Sequence, residues 1–192
     1  MTTVPNTLDR RFRLAAAESG LVDVSYDVAD SPVGPLLLAV TELGLCRISF
    51  NPEPERDTEE LARTFGVRVL RGPKEVDGVR RELEEYFEGR RRSFDLPLDL
   101  RGRTGFSREI LDRLARVPYG EVTTYKSLAV EAGNPRAARA VGTIMNRNPI
   151  PIVLPCHRVV GSNGSLVGYG GGLDRKRQLL DLEAGRPALD LQ

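Results

Sequence analysis

The chain has no tryptophan, and its 192 residues include one histidine, two cysteines and two methionines. Two cysteines, Cys46 and Cys156, are too few for a disulfide framework, and a reducing cytoplasm is the expected compartment. With a single histidine there is no zinc-finger spacing, so no metal site is expected. No apolar run approaches the roughly 20 residues that a membrane span needs, and no membrane contact is expected. Residues 1–13 mix polar and basic side chains without an apolar core segment, so no secretory signal is expected. The formal net charge is only +1, which by itself points to no partner.

Apolar residues make up 40% of the chain and charged residues 29%, ordinary values for a globular protein of one or two domains. The distribution of charge says more than its sum. Residues 1–100 carry 14 basic and 19 acidic side chains, whereas residues 101–192 carry 14 basic and 8 acidic. The C-terminal half is therefore suited to face a polyanion, unless the difference is only the ordinary fluctuation of charge along a chain.

Residues 1–20 read as a loose lead-in. In Val22–Val28 apolar and polar residues alternate, which predicts a strand with one buried face. Leu36–Val40 and Leu45–Phe50, separated by a tight turn, complete a meander with Cys46 in its packing. Thr58–Phe65 reads as a short helix capped by Asp57 or Thr58, and Val67–Leu70 as a further strand. In Asp77–Glu88, Val79, Leu83, Tyr86 and Phe87 fall at helical spacing. Glycine and charge interrupt the apolar pattern at Arg101–Gly105, where a boundary is placed between domains 21–100 and 101–192. Helices follow: Ser107–Val117, then Lys126–Ala132 behind Val122–Tyr125, then one opened by Asn134-Pro135 and running to about Asn146. The last two, with Gly133 between them, form a helix-turn-helix pattern. Arg136 and Arg139 share a face of the second helix, and Ala137 and Ala138 leave little bulk there. Two packed helices that bind nothing have the same pattern, so both readings stay open.

The sequence turns chemical at Pro151–Val160. An apolar run ends at Pro155, Cys156 and the sole histidine, His157, follow, and Arg158 comes next. A thiol beside an imidazole is the minimum kit for an activated thiolate, since free cysteine, with a pKa of about 8.5, is mostly protonated at neutral pH. Neighbours on an extended chain point to opposite sides, so a bend or a bridging water is needed to join the pair. A buried core cysteine beside an unrelated histidine is the plainer reading. Gly168–Gly172 lacks the spacing of a phosphate-cradling loop. Glu183, on the final helix Asp174–Ala184, shares a stripe with Leu179 and Leu180. A carboxylate there either finds a partner, with His157 the natural candidate, or lies solvated at the helix edge.

The run Pro155-Cys156-His157-Arg158-Val159 resembles the active-site motif of the O6-alkylguanine-DNA alkyltransferases. Pro118-Tyr119-Gly120, Thr124-Tyr125, Arg139-Ala140-Val141-Gly142, Asn148-Pro149, Gly168-Tyr169 with Gly171-Gly172, and Leu179-Leu180 to Glu183 match in order and spacing. The match is strong over about residues 104–185 and weaker before them. The resemblance implies an α/β fold, with an N-terminal ribonuclease-H-like sheet domain and a C-terminal winged-helix-like helix-turn-helix domain. It implies stoichiometric repair in which Cys156 takes the alkyl group from O6 of guanine, with no cofactor. His157 is then the base acting through a water, Glu183 its orienting acid, and Asn148 the link between helix and active-site segment.

By the same resemblance Tyr125 contacts the flipped nucleotide and Arg139 fills the gap it leaves. Arg136, Ala137, Ala138 and Arg147 belong to the DNA-facing set. Val159, Tyr169, Gly170, Gly171 and Met145 line the guanine pocket. The partner implied is double-stranded DNA containing O6-alkylguanine, bound by a monomer, with clustering along DNA left open. Flipping is needed because O6 is inaccessible to in-line attack inside the stack. Ser107 and Leu111 stand where many members carry glutamine and tryptophan, a departure that bears on packing and not on the chemistry. The structural zinc of some members has no cysteine cluster to hold it. The alternative is a non-repairing binder that flags alkylated DNA. A transcriptional regulator would need a further domain.

Overall fold

A computed structural model describes residues 20–186. The lead-in read over residues 1–20 lies outside the described residues except for Gly20. The chain divides into two compact units. The described part of the first comprises residues 20–30, 34–81 and 96–101, and that of the second residues 31–33, 82–95 and 102–186.

The first unit is built on a four-stranded sheet of β1 (Val24–Ala29), β2 (Leu36–Thr41), β3 (Gly44–Phe50) and β4 (Val69–Arg71), in the order β3-β2-β1-β4. β2 runs antiparallel to both β1 and β3, and β4 runs parallel to β1. Leu36, Leu37, Leu38 and Ala39 are all buried, so β2 reads as a continuous apolar run and not as an alternation. Val24, Leu37, Ala39, Cys46 and Leu61 form the core, with Tyr26, Val28, Phe65 and Val69 packed against it. Val24, Leu37 and Leu61 each contribute about 1.5–3 kcal/mol by their burial.

The polar residues of β1 depart from the expected one-sided strand. Ser25 and Asp27 are buried as well. Asp27 is held by Arg71 Nε at 2.7 Å and Arg80 Nη2 at 2.9 Å, which compensates its burial. At the turn into β3, Gly44 has φ of 129°, and a Cβ there would lie 2.1 Å from the Pro97 carbonyl oxygen. Only glycine lets the 97–99 segment approach, where Leu45 N donates to Pro97 O at 2.8 Å.

Helix α1 (Pro54–Phe65) starts four residues before the expected Thr58. Pro54 takes the first turn, where its missing N–H is no loss. Asp57 and Thr58 therefore sit inside the helix and do not cap it. The Asp57 carboxylate reaches back to Glu53 N at 2.9 Å, and the Thr58 hydroxyl donates to Pro54 O at 2.7 Å. Helix α2 (Asp77–Phe87) agrees with its expected span to within a residue.

The second unit is largely helical. Helix α3 (Gly105–Leu114) buries Ile110, Leu111 and Leu114. Helix α4 (Tyr125–Glu131) is capped by Thr124, whose hydroxyl accepts from Ser127 N at 3.0 Å. Helix α5 (Ala138–Asn146) begins later than its Asn134-Pro135 signal suggests. Residues 134–137 close a turn instead, in which Ala137 N donates to Asn134 O at 2.9 Å, and Arg136 thus lies in the turn ahead of the helix. β5 (Thr123–Thr124) pairs in parallel with β6 (Val159–Val160). Helix α6 (Leu173–Glu183) closes the described fold. No helix among the described residues is long and apolar enough to cross a membrane.

Candidate active site

The segment before Cys156 is shaped by an unusual backbone. Ile152 has φ of 76°, a left-handed conformation that costs a β-branched residue about 1–3 kcal/mol. Leu154 N donates to Ile150 O at 2.9 Å and closes this turn. Asn148 ties the turn down: its Oδ1 accepts from Ile150 N at 3.1 Å, and its Nδ2 donates to Leu154 O at 2.7 Å. The same Nδ2 lies 3.1 Å from Cys156 Sγ. The link expected of Asn148 is therefore a direct contact with the sulfur.

Cys156, His157 and Arg158 form one 3-10 turn, and all three are buried. The chain is bent here and not extended, and no hydrogen bond joins Sγ to the His157 ring among the described residues. His157 Nε2 is 2.8 Å from Glu183 Oε1, so the carboxylate on the apolar stripe of α6 has the partner expected of it. It has others too. Arg158 grips it in fork fashion, Nε to Oε2 at 2.9 Å and Nη2 to Oε1 at 2.8 Å. Tyr86 donates its hydroxyl to Oε1 at 2.7 Å, and Gly120 donates its N–H to Oε2 at 3.1 Å. Gly120 has φ of 77°, the turn of Pro118-Tyr119-Gly120 aiming that N–H at the carboxylate.

These contacts decide the protonation states. Burial pushes Glu183 upward, but the hydrogen bonds from His157 and Arg158 overcome it and bring the carboxyl down to about 2. Glu183 is an acceptor only, so Nε2 of His157 must carry the hydrogen. Burial lowers His157 below its usual value despite Glu183, so at neutral pH the ring is neutral, with the lone pair on Nδ1. Nδ1 is buried and has no hydrogen-bond partner among the described residues.

Burial pushes the Cys156 thiol up to about 11, while the Asn148 amide and the Lys176 ammonium pull toward the thiolate. Lys176 is fully buried, its Nζ donating to Val159 O at 2.6 Å and Val167 O at 3.0 Å. Burial lowers its own pKa. Tyr169 also pulls Cys156 toward the thiolate, and it stays a donor because burial and the sulfur raise it well above the usual tyrosine range.

The other expected residues are distributed around this centre. Tyr125 opens α4, its hydroxyl 2.8 Å from Val167 O and 3.0 Å from Gly168 O. Val159 is fully buried. Gly170 lies against the end of α5, where a Cβ would come 3.0 Å from Asn146 O. The Gly171 carbonyl accepts from Arg175 at 3.0 Å. Met145 lies on the buried face of α5, and Ala137 and Ala138 at its start are half-buried. Arg136, Arg139 and Arg147 are exposed, and their guanidinium groups have no carboxylate partner among the described residues.

Sequence reasoning misses Arg158, Lys176, Tyr86 and Gly120 as site residues. Lys176 had a signal, since it falls on the same stripe as Leu179 and Glu183 at helical spacing. For the basic face the signal is an absence: between Glu131 and Asp174 the chain has no carboxylate.

Comparison with known proteins agrees in both halves. Residues 105–185 match the family model described as the 6-O-methylguanine DNA methyltransferase DNA binding domain, and residues 24–100 that family's ribonuclease-like domain. The chain is 46% identical over 158 residues to the methylated-DNA–protein-cysteine methyltransferase of Methanosarcina barkeri, covering 82% of this chain and 96% of that one. It is 37% identical over 159 residues to the constitutive enzyme of that name from Bacillus subtilis, covering 82% and 94%. The crystal structure of Mycobacterium tuberculosis OGT in complex with DNA superposes with a TM-score of 0.76 at 41% identity, covering 87% of this chain and 97% of that one.

Proposed function

The chain belongs to the 6-O-methylguanine DNA methyltransferase family, and from that premise we propose that Cys156 takes an alkyl group from O6 of guanine in duplex DNA, once per molecule. The protein is a methylated-DNA–protein-cysteine methyltransferase, a direct-reversal DNA repair enzyme with an α/β fold and a C-terminal DNA-binding domain. The observation that carries the assignment of Cys156 is its sulfur, which accepts from Asn148 at 3.1 Å and is next in the chain to the histidine paired with Glu183.

The thiol begins protonated, because burial holds it near 11. The neutral His157 takes the proton on Nδ1 through a solvent molecule, while Glu183 stabilises the imidazolium that forms. Sulfur then attacks the alkyl carbon in line. The S–C bond forms, the C–O6 bond breaks, and its electron pair stays on the guanine. Asn148 and Lys176 favour the transient thiolate. The product thioether is stable, which makes the reaction stoichiometric.

Arg139 on α5 fills the stack where the base leaves, and Arg136 and Arg147 bind phosphate, their freedom from carboxylates leaving all three available to DNA. Tyr125 exchanges its carbonyl partners for the flipped nucleotide. Val159, Tyr169, Gly170, Gly171 and Met145 enclose the guanine. The protein acts as a monomer, since one chain supplies every group named, and in the cytoplasm, where its two free thiols stay reduced.

The test is the intact mass after mixing with a duplex holding one O6-methylguanine. The expected result is a gain of one methyl group, mapped to the peptide with Cys156, with no turnover beyond one equivalent. Tight binding of the lesion without a mass gain would replace this reading by that of a non-repairing binder.

A further inference from the structure

Glu183 is shared. Its Oε1 accepts from His157 Nε2 at 2.8 Å and also from the Tyr86 hydroxyl at 2.7 Å. Tyr86 is fully buried near the end of α2, 97 residues before the carboxylate it meets. Its ring packs edge-on to Phe87, 5.4 Å between centroids, and to Tyr119 at 6.0 Å. Packing alone would be served by phenylalanine, and a buried hydroxyl is retained at no loss only where it finds a partner. Here the partner is the oxygen that orients the histidine.

We propose that Tyr86 is a positioning residue for alkyl transfer: by donating to Glu183 Oε1 it fixes the carboxylate and restrains the basicity of His157. This rests on the reading of His157 as the base. A donor on Oε1 draws off part of the negative charge that would otherwise stabilise the imidazolium. Without it the carboxylate holds the Nε2 hydrogen more strongly, the charged ring is favoured, and the histidine protonates at higher pH.

The other charged and titratable groups around the pair do not replace this effect. Arg158 binds both carboxylate oxygens and opposes a positive charge on the ring, as does Lys176 from α6. Tyr119 faces Glu183 and stays protonated, burial raising its pKa. Tyr169 interacts with Cys156 and senses Glu183. Burial and the neighbouring Glu183 raise Tyr86 well above the ordinary tyrosine range, so it remains a donor wherever the protein is folded.

The test uses the sole histidine as its own reporter. In Tyr86→Phe the NMR titration midpoint of His157 is expected to rise by about half a unit to one unit, the scale of one hydrogen bond. The acid limb of the single-turnover transfer rate should move up by the same amount. Leu83→Ala, a cavity on the same helix, should lower the melting temperature and leave the titration in place. If Tyr86→Phe also only lowers the melting temperature, with an unmoved titration, the tyrosine is packing and the proposal is overturned. A titration that moves while the rate profile does not keeps the effect of Tyr86 on His157 but removes His157 as the base, and with it the role of Tyr86 in alkyl transfer.

Discussion

Cys46 and Cys156 are both buried free thiols, 1% and 3% exposed, and burial raises both, to about 12 and about 11. They differ in which way the hydrogen bond at sulfur runs. Cys46 on β3 donates to the Ala39 carbonyl at 3.3 Å, and the negative charge of Asp99 raises it further. Cys156 accepts from Asn148 at 3.1 Å and has an ammonium and a neutral imidazole within its unit. A thiol that donates to a carbonyl gains nothing by ionising, whereas one that accepts from an amide does. Burial and sequence type are nearly matched, so reactivity at Cys156 comes from the donors around it.

The sharpest way to break the comparison is to exchange the outcomes of the two sites. Cys156→Ala should abolish alkyl transfer, read as intact mass, while retaining binding to the duplex. Cys46→Ala should still take one alkyl group per molecule and lose about 1 kcal/mol of stability through the small cavity. Transfer surviving in Cys156→Ala would remove the nucleophile assignment.

Glu183→Gln comes next in size. The imidazolium loses its counter-charge, and a fall of about 10²–10⁴-fold in single-turnover rate is expected, the usual range for a positioned acid–base group. Arg158 is left as a buried cation without its carboxylate, which costs about 3–5 kcal/mol in denaturant unfolding. The same site sets the acid sensitivity of the fold. Glu183 is near 2 folded and 4.5 in its ordinary state, so its stabilisation is complete above about 4.5 and is lost as pH falls toward 2. His157, lowered from 6.5, adds a loss in the same direction, below its ordinary value and through its folded one. Stability measured against pH should fall on the acid side, and that slope should flatten in Glu183→Gln.

Asn148→Ala removes the amide that donates to Sγ at 3.1 Å. A hydrogen bond to a charged group contributes about 1.5–3 kcal/mol, so transfer should slow by roughly 10–100-fold at neutral pH. A rate within twofold of the parent would show that Asn148 serves the turn and not the sulfur.

What could be read in the sequence follows from how local the physics is. The adjacency of Cys156 and His157 is written in the chain, and Glu183 betrays itself as a carboxylate on a leucine stripe. Asp27 does not, since its compensating arginines lie 44 and 53 residues away on other elements. Tyr86 reads as one more apolar residue at helical spacing, its hydroxyl partner being 97 residues distant. Asn134-Pro135 is a sound helix-start signal, but the same residues suit a turn, and the turn delays α5 to Ala138. The bend at Cys156 carries no sequence signal, because a 3-10 turn of three residues has no periodicity to detect.

The smallest effect is also the most direct measure of the difference between the two thiols. The Cys156 thiol is raised less than the Cys46 thiol, so its thiolate fraction is the larger at any pH below both. Alkylation of the folded protein by a small neutral reagent such as iodoacetamide, followed peptide by peptide, should therefore favour Cys156. In Asn148→Ala the preference should shrink toward parity, because the acceptor role of sulfur is what separates the sites. In denaturant the two peptides should react alike. A preference that survives Asn148→Ala unchanged would assign the lowering at Cys156 to Lys176 and Tyr169 instead, and Lys176→Met and Tyr169→Phe would then tell the two apart.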